Sequence, residues 1–239
     1  MQRYFVSEKD NNLFKIKDSD YHHIVNVMRL RIDDNIEVVC DNKLYLAKIF
    51  KIEKNIVYAS IIKELKSNSE LLIDVTIAQA LVKESKFNYI LQKGTELGVK
   101  SFIPISMERS IIKLDSKKVL NKLDRWQKIC KEASEQSKRI IIPAVESVKN
   151  INYLTKLDYD YKILCSINEE AIPIKKVLQN IKNDSKIIIV IGPEGGLTNL
   201  EEETLIKAGY IRASLGNRIL RTETASLFVM SIINYELMR

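Results

Sequence analysis

From Leu71 onward, apolar β segments alternate with amphipathic helical segments, and this rhythm leaves few folds open. The spacing predicts a strand from about Leu71 (LLIDVTIAQAL), a helix near 84–97, a strand at 99–105, a long helix at 117–138 and a short extended piece at 141–146. A strand at 161–166, a helix at 172–181, the strand KIIIVI at 186–191, a helix in EEETLIKA, the strand YIRASLG and a final helix at 222–238 follow. Strands joined through helices run parallel, and a parallel sheet is covered by helices on both faces. The expected fold is therefore α/β from residue 71 to 239.

The first seventy residues read differently. RYFV at 3–6, LFKIK at 13–17, IEVVC at 36–40, KLYLAKIFKI at 43–52 and IVYASII at 56–62 are short β segments, broken by one helix from about Tyr21 to Leu30. Asp33-Asp34-Asn35 and Asp41-Asn42 supply turns. A small barrel or sandwich over 1–70 is expected, with the polar stretch KELKSNSE at 63–70 as its linker to the second domain.

With 46% hydrophobic and 29% charged residues the chain is globular in composition. It has no apolar run long enough to span a bilayer and no hydrophobic signal core in MQRYFVSEKDNN, so a cytoplasmic protein without a membrane partner is expected. Cys40, Cys130 and Cys165 are isolated, which suggests neither a disulfide framework nor a metal site. The net charge of +7 favours a polyanionic partner such as RNA. In a lysine-rich chain arginine is the marked choice, because its planar fork matches phosphate and base edges. Arginines collect at Arg3, Arg29 and Arg31, at Arg109, Arg125 and Arg139, and at Arg212, Arg218 and Arg221.

Two loops point to a ligand site. After the strand ending at Ile191, the chain turns through Gly192-Pro193-Glu194-Gly195-Gly196 and enters a helix opening with Thr198 and Glu201. Glycine turns between a parallel strand and a helix line the usual nucleotide crevice of an open α/β sheet. This one carries a carboxylate and no lysine, and neither phosphate-binding glycine motif occurs, so phosphate fits poorly. An adenosine compound without phosphates suits it better, and S-adenosylmethionine, with its positive sulfonium, is the common one. Thr198 and Glu201 also read as a capping box. The second loop, Ser214 to Ala225, again links a strand end to a helix start, and Cys165 and Ser166 close a third strand.

GPEGGL at 192–197 together with LGNRILRTETA at 215–225 resembles the RsmE family of 16S ribosomal RNA uracil-N3 methyltransferases, of the SPOUT class. QKGTELGV at 92–99, ERS at 108–110, RWQKICKEASEQSKR at 125–139, MQRYFV at 1–6 and HHIVNVMRLR at 22–31 extend the likeness over nearly the whole chain. The resemblance implies a PUA-like β-barrel for RNA recognition at 1–70 and a methyltransferase domain at 71–239 with a C-terminal trefoil knot, a rare exception to the rule against knots. It also implies a homodimer that methylates N3 of one uridine in small-subunit ribosomal RNA, either as free RNA or in the assembled subunit.

On that resemblance Ser166, Ile191, Gly192, Glu194, Gly195, Gly196, Ser214, Leu215, Gly216, Ile219 and Leu220 are expected to hold S-adenosyl-L-methionine. Arg221, with Arg218, would clamp the uracil carbonyls, since an arginine does not act as a base at neutral pH. Glu223 is the nearest candidate base by spacing. Arg3, His23, Arg29, Arg31, Lys93, Arg109, Arg125 and Arg139 are candidate RNA contacts, with His23 on the barrel surface rather than in catalysis. Lys93, Glu96 and Arg109 serve equally as salt links, and Glu132, Gln136 and Arg139 equally as a dimer seam. A SPOUT enzyme acting on another RNA atom and a non-catalytic RNA-binding assembly factor are the alternatives.

Overall fold

A computed structural model describes residues 1–110 and 116–237, with side chains omitted for 116–121. Met238, the end of the predicted final helix, lies outside the described residues. The chain divides into two compact units, the first made of Met1–Glu70 with Ser134–Ile141, the second of Leu71–Ala133 with the chain from Ile142 on.

The first unit is a six-stranded sheet of β1 (Arg3–Phe5), β2 (Lys9–Asp10), β3 (Leu13–Ile16), β4 (Asn35–Cys40), β5 (Lys43–Glu53) and β6 (Ile56–Leu65), in the order β1-β4-β5-β6-β3-β2. Only the β1–β4 pairing is parallel. Two-residue turns join β4 to β5 and β5 to β6, and both residues of each have positive φ: Asp41 and Asn42 at 50° and 59°, Lys54 and Asn55 at 48° and 64°. That geometry matches the right-handed twist of the strands it connects. Alternate residues of β4 and β5, among them Ile36, Val38, Ala47 and Ile49, enter a core with Tyr4, Phe14 and Ile24.

Two boundaries depart from the periodicity. The helix α1 (Asp18–His22) continues as a π-helical turn over His23–Val27 and stops short of Leu30, because Arg29 takes a left-handed φ of 54°. Strand β6 runs on through Lys63–Leu65, since the long β5 pairs with it as far as Leu44 opposite Leu65. The expected linker therefore begins as strand.

Two expected RNA contacts are buried in this unit. Arg3, 5% exposed, pairs with Glu37 at 2.9 Å and donates to the carbonyls of Lys138 and Arg139. Arg139, 2% exposed, pairs with Glu70 at 2.6 Å. Glu70 also accepts from the Ile140 N–H at 2.9 Å. In this arrangement both guanidiniums are engaged within the unit rather than presented at its surface.

The second unit contains β7 (Asp74–Ala80), α2 (Glu84–Glu96), β8 (Ser101–Ser106), the longer part of α3 (Ser116–Gln136), β9 (Ala144–Val145), β10 (Lys149–Asn150), α4 (Ile151–Leu154) and β11 (Tyr161–Cys165). It continues with β12 (Ile172–Pro173), α5 (Ile174–Leu178), β13 (Lys186–Ile191), α6 (Asn199–Lys207), β14 (Ile211–Ser214) and α7 (Thr222–Leu237). Every pairing is parallel, in the order β10-β8-β7-β13-β11-β14-β12, with β9 also on β8. Strand β13 shows why both faces need helices. Ile187, Ile189 and Ile191 pack with Phe87, Trp126 and Val229, while Ile188 and Val190 pack with Leu154 and Leu205.

Here too some boundaries move. The helix expected from Ile172 starts at Ile174, because a residue preceding proline is pushed into extended backbone, and Ile172–Pro173 pairs with β14 instead. Helix α3 stops at Gln136 rather than 138, where Lys138 takes a φ of 62° and the Arg139 N–H closes onto the Ser134 carbonyl at 3.0 Å. The four-residue α4, capped by the Asn150 side chain, has no sequence-based counterpart.

Candidate functional site

Strands β13, β11 and β14 lie side by side, and their carboxyl ends open into one cleft of about 510 Å³. Ligands of open α/β sheets bind at such an edge. Three loops line it: Ser166 and Ile167 after β11, Gly192 to Leu197 after β13, and Leu215 to Thr222 after β14. Within those stretches Ser166, Ile191, Gly192, Glu194, Gly195, Gly196, Leu215, Gly216, Ile219 and Leu220 from the expected cofactor set all face the cleft, as do Arg218 and Arg221. Ser214 does not line it, and its hydroxyl instead accepts from the Gly216 N–H at 3.2 Å, holding the turn. Gly216 itself sits at φ 117°, a backbone position open to glycine alone without strain.

The glycine loop is held from three sides. Thr198 accepts from the Glu201 N–H at 3.3 Å while Glu201 accepts from the Thr198 N–H at 2.9 Å, the reciprocal pair of a capping box. The other Glu201 oxygen accepts from the Glu108 N–H at 2.9 Å, so one buried carboxylate ties the ERS segment to the start of α6. Arg109 then donates to the carbonyls of Gly195 and Leu197 at 2.9 and 3.3 Å. It lines the cleft and braces the loop, a placement more specific than the RNA entrance expected for it. From beneath, the Thr222 hydroxyl donates to the Gly192 carbonyl at 2.7 Å and accepts from Gln79 at 2.9 Å.

Glu201→Ala is expected to destabilise the protein by about 1–2 kcal/mol, the cost of a lost helix cap and an unpaired N–H. Chemical denaturation would read it as a lower midpoint at unchanged slope. An unchanged midpoint would mean the Glu108 contact carries no stability.

Two carboxylates line the cleft, and both are engaged by cations. Glu194 meets Lys86 at 2.9 Å. Burial pushes the Glu194 carboxyl up, but the Lys86 hydrogen bond, a backbone N–H and the nearby ammonium charges together leave it below the ordinary carboxylate range. The same hydrogen bond, donated to Glu194, raises the Lys86 ammonium against the opposing effect of burial. Glu202 accepts from the Ser166 hydroxyl at 2.9 Å and pairs with Arg212 at 3.0 Å. Burial pushes the Cys165 thiol up to about 12, which disfavours the thiolate.

The expected base is placed otherwise. Glu223, in the first turn of α7, does not line the cleft and lies 3.4 Å from Lys86. Lys86 bridges it to Glu194 of the cleft lining. Arg218 and Arg221, in contrast, are exposed at the cleft and have no side-chain partner among the described residues. Of the remaining RNA candidates, Lys93 pairs with Glu96 at 2.8 Å and Arg125 pairs with Glu84. In the first unit the His23 ring nitrogen meets the Tyr4 hydroxyl at 3.0 Å, while Arg29 and Arg31 are exposed with side chains that engage no described residue. Lys86 and Gln79 were not expected at the site. Nothing local in the sequence marks them, since their partners stand more than a hundred residues away.

Residues 69–234 match the RNA methyltransferase domain family, and residues 16–62 match the RNA methyltransferase PUA domain. Ribosomal RNA small subunit methyltransferase E of Bacillus subtilis is 40% identical across 99% of this chain and 97% of that protein. The protein of the same name from Mesomycoplasma hyopneumoniae is 32% identical across 97% of this chain and 98% of its own. The crystal structure of ribosomal RNA small subunit methyltransferase E from Neisseria gonorrhoeae bound to S-adenosyl methionine has a TM-score of 0.88 and 31% identity, covering 99% of this chain and 98% of that one.

Proposed function

The chain belongs to the ribosomal RNA small subunit methyltransferase E family, and on that footing we propose that it transfers a methyl group from S-adenosylmethionine to N3 of one uridine in 16S ribosomal RNA. The observation that carries the chemistry is the pair of uncommitted guanidiniums, Arg218 and Arg221, beside a glycine-lined cleft. The cleft fits the cofactor: its loops present backbone groups closely, and a Cβ on Gly192 would lie 2.6 Å from Leu197. Ile191, Leu215 and Ala225 give apolar wall, and Glu194 gives negative charge for a sulfonium. The cofactor supplies an electrophilic methyl group on positive sulfur.

The chain's own residues prepare the nucleophile. Uracil N3 becomes nucleophilic when its proton leaves, and the charge then spreads onto the two flanking carbonyl oxygens. Arg221, assisted by Arg218, donates to those oxygens where the charge develops. With Glu194, Glu202 and Glu223 all paired with cations, the N3 proton goes to solvent. Turnover below saturation of this ionisation should therefore rise roughly tenfold per pH unit near neutrality, and Glu223→Gln should keep both that slope and the rate. A Glu223→Gln enzyme with a flattened profile and a large loss of turnover would restore Glu223 as the proton acceptor.

The same reading makes the sheet of residues 1–70 a PUA-like barrel for RNA recognition, and 71–239 a knotted methyltransferase domain working as a homodimer in the cytoplasm. Ile167 and Ile219, 77% and 83% exposed at the cleft, are apolar surface that a second copy would cover. No helix among the described residues is long and apolar enough to cross a membrane. The test is purified protein, labelled S-adenosylmethionine and small-subunit RNA, offered both free and as assembled subunits. Label in RNA is expected, and cofactor binding without transfer to either substrate would favour a non-catalytic assembly factor.

A further inference from the structure

We propose that the outer face of the β5–β6 hairpin is a stacking platform for an unpaired RNA base, formed by Phe50 and Tyr58 with Lys51 and Arg31 beside them. It rests on the reading of the chain as an RNA methyltransferase and adds a contact site within the first unit. The origin is a β-bulge. Ile49 pairs with Ala59 and Lys51 with Tyr58, which leaves Phe50 as an extra residue in β5. In a regular strand, side chains alternate between faces, so a buried Ile49 would be followed by one outward residue and then an inward one. The bulge turns two consecutive residues outward instead: Phe50 is 41% exposed and Lys51 is exposed as well.

The two rings form a pair with centroids 6.1 Å apart at 57°, and the Lys51 ammonium lies 6.0 Å from the Tyr58 ring. On the other side of β5, the Asp33 N–H donates to the Ile49 carbonyl and the Ile49 N–H to the Asp34 carbonyl, at 2.8 and 2.9 Å. This brings the loop carrying Arg31 and the 55% exposed Ile32 alongside. Charge selects the occupant. Each neighbouring carboxylate is already engaged: Asp33 by Lys48 at 2.8 Å, Glu53 by Lys51 at 2.9 Å and Asp34 by the Arg31 N–H at 2.7 Å. The groups left uncommitted among the described residues are the Arg31 guanidinium and the Lys54 ammonium at the hairpin tip, beside the exposed Phe50 ring. Cations that track a backbone, combined with rings on which any base stacks, are the means of binding single-stranded nucleic acid.

The experiment titrates the full-length protein with a labelled, uridine-rich single-stranded oligoribonucleotide at fixed salt, and maps ultraviolet crosslinks on the same complex by peptide mass. Phe50→Ala should weaken binding roughly tenfold, equivalent to about 1.4 kcal/mol. Phe50→Trp should bind like wild type, and S-adenosylmethionine affinity and melting temperature should be unchanged in both. Crosslinks should fall on the peptides bearing Phe50 or Tyr58. Equal RNA affinity of wild type and Phe50→Ala, with no crosslink on this hairpin, would overturn the platform and leave the methyltransferase reading standing. Failure of the wild type itself to bind RNA would overturn that reading and the platform with it.

Discussion

Arg221→Ala is expected to slow single-turnover methyl transfer by about two to three orders of magnitude, the usual effect of removing one donor aimed at developing negative charge. S-adenosylmethionine affinity and melting temperature should stay close to wild type. The reason lies in what Arg221 does not touch: exposed at the cleft and without a side-chain partner among the described residues, it contributes no internal contact that the folded chain would miss. Arg221→Lys should recover only part of the rate, because an ammonium keeps the charge but lacks the planar fork that faces a carbonyl. Arg218→Ala, removing the assisting cation, should cost less. Full turnover in Arg221→Ala would remove the clamp from the mechanism.

Thr222→Val should cost about 2–3 kcal/mol of stability, because valine keeps the shape while removing a hydroxyl that both gives and receives. The Gly192 carbonyl would lose its donor and the Gln79 amide one acceptor. Gln79 is fully buried, keeps the Ala80 carbonyl at 3.2 Å, and is fixed at its other end by Ser226, so the site has little freedom to recruit water. For a chain of this length the melting temperature should fall by about 4–12 °C. Gly192 forms the cleft wall, so S-adenosylmethionine affinity should fall as well. In a Gln79→Met background the same substitution should cost much less, since the network is already broken. Additive losses would show that the two residues act separately.

How far the fold was legible depends on which interactions each feature needs. The parallel sheet was readable because both its faces are apolar, so β13 carries its burial in its own sequence. Loop residues 192–196 and 215–220 were readable because glycine marks places where backbone must turn or come close. The capping box was readable because its two members are three residues apart. Long-range pairings were not. Lys86 against Glu194, Gln79 against Thr222 and Arg3 against the Arg139 carbonyl join positions whose local sequence is unremarkable. The same limit applies to Glu223, whose ion pair with Lys86 joins residues far apart in the chain. The burial of Arg3 and Arg139 was hidden for a related reason: composition counts cations, and only folding decides which are buried.

The most direct test of uracil-N3 methylation is the chemical position of the transferred methyl. Small-subunit ribosomal RNA lacking the modification would be incubated with the protein and labelled S-adenosylmethionine, digested to nucleosides and separated by mass and retention. Label in 3-methyluridine is expected, absent with Arg221→Ala protein that still binds the cofactor. Label in a ribose 2′-O-methyl nucleoside or in another base would contradict the carbonyl-clamp chemistry while leaving the fold and the cofactor cleft in place.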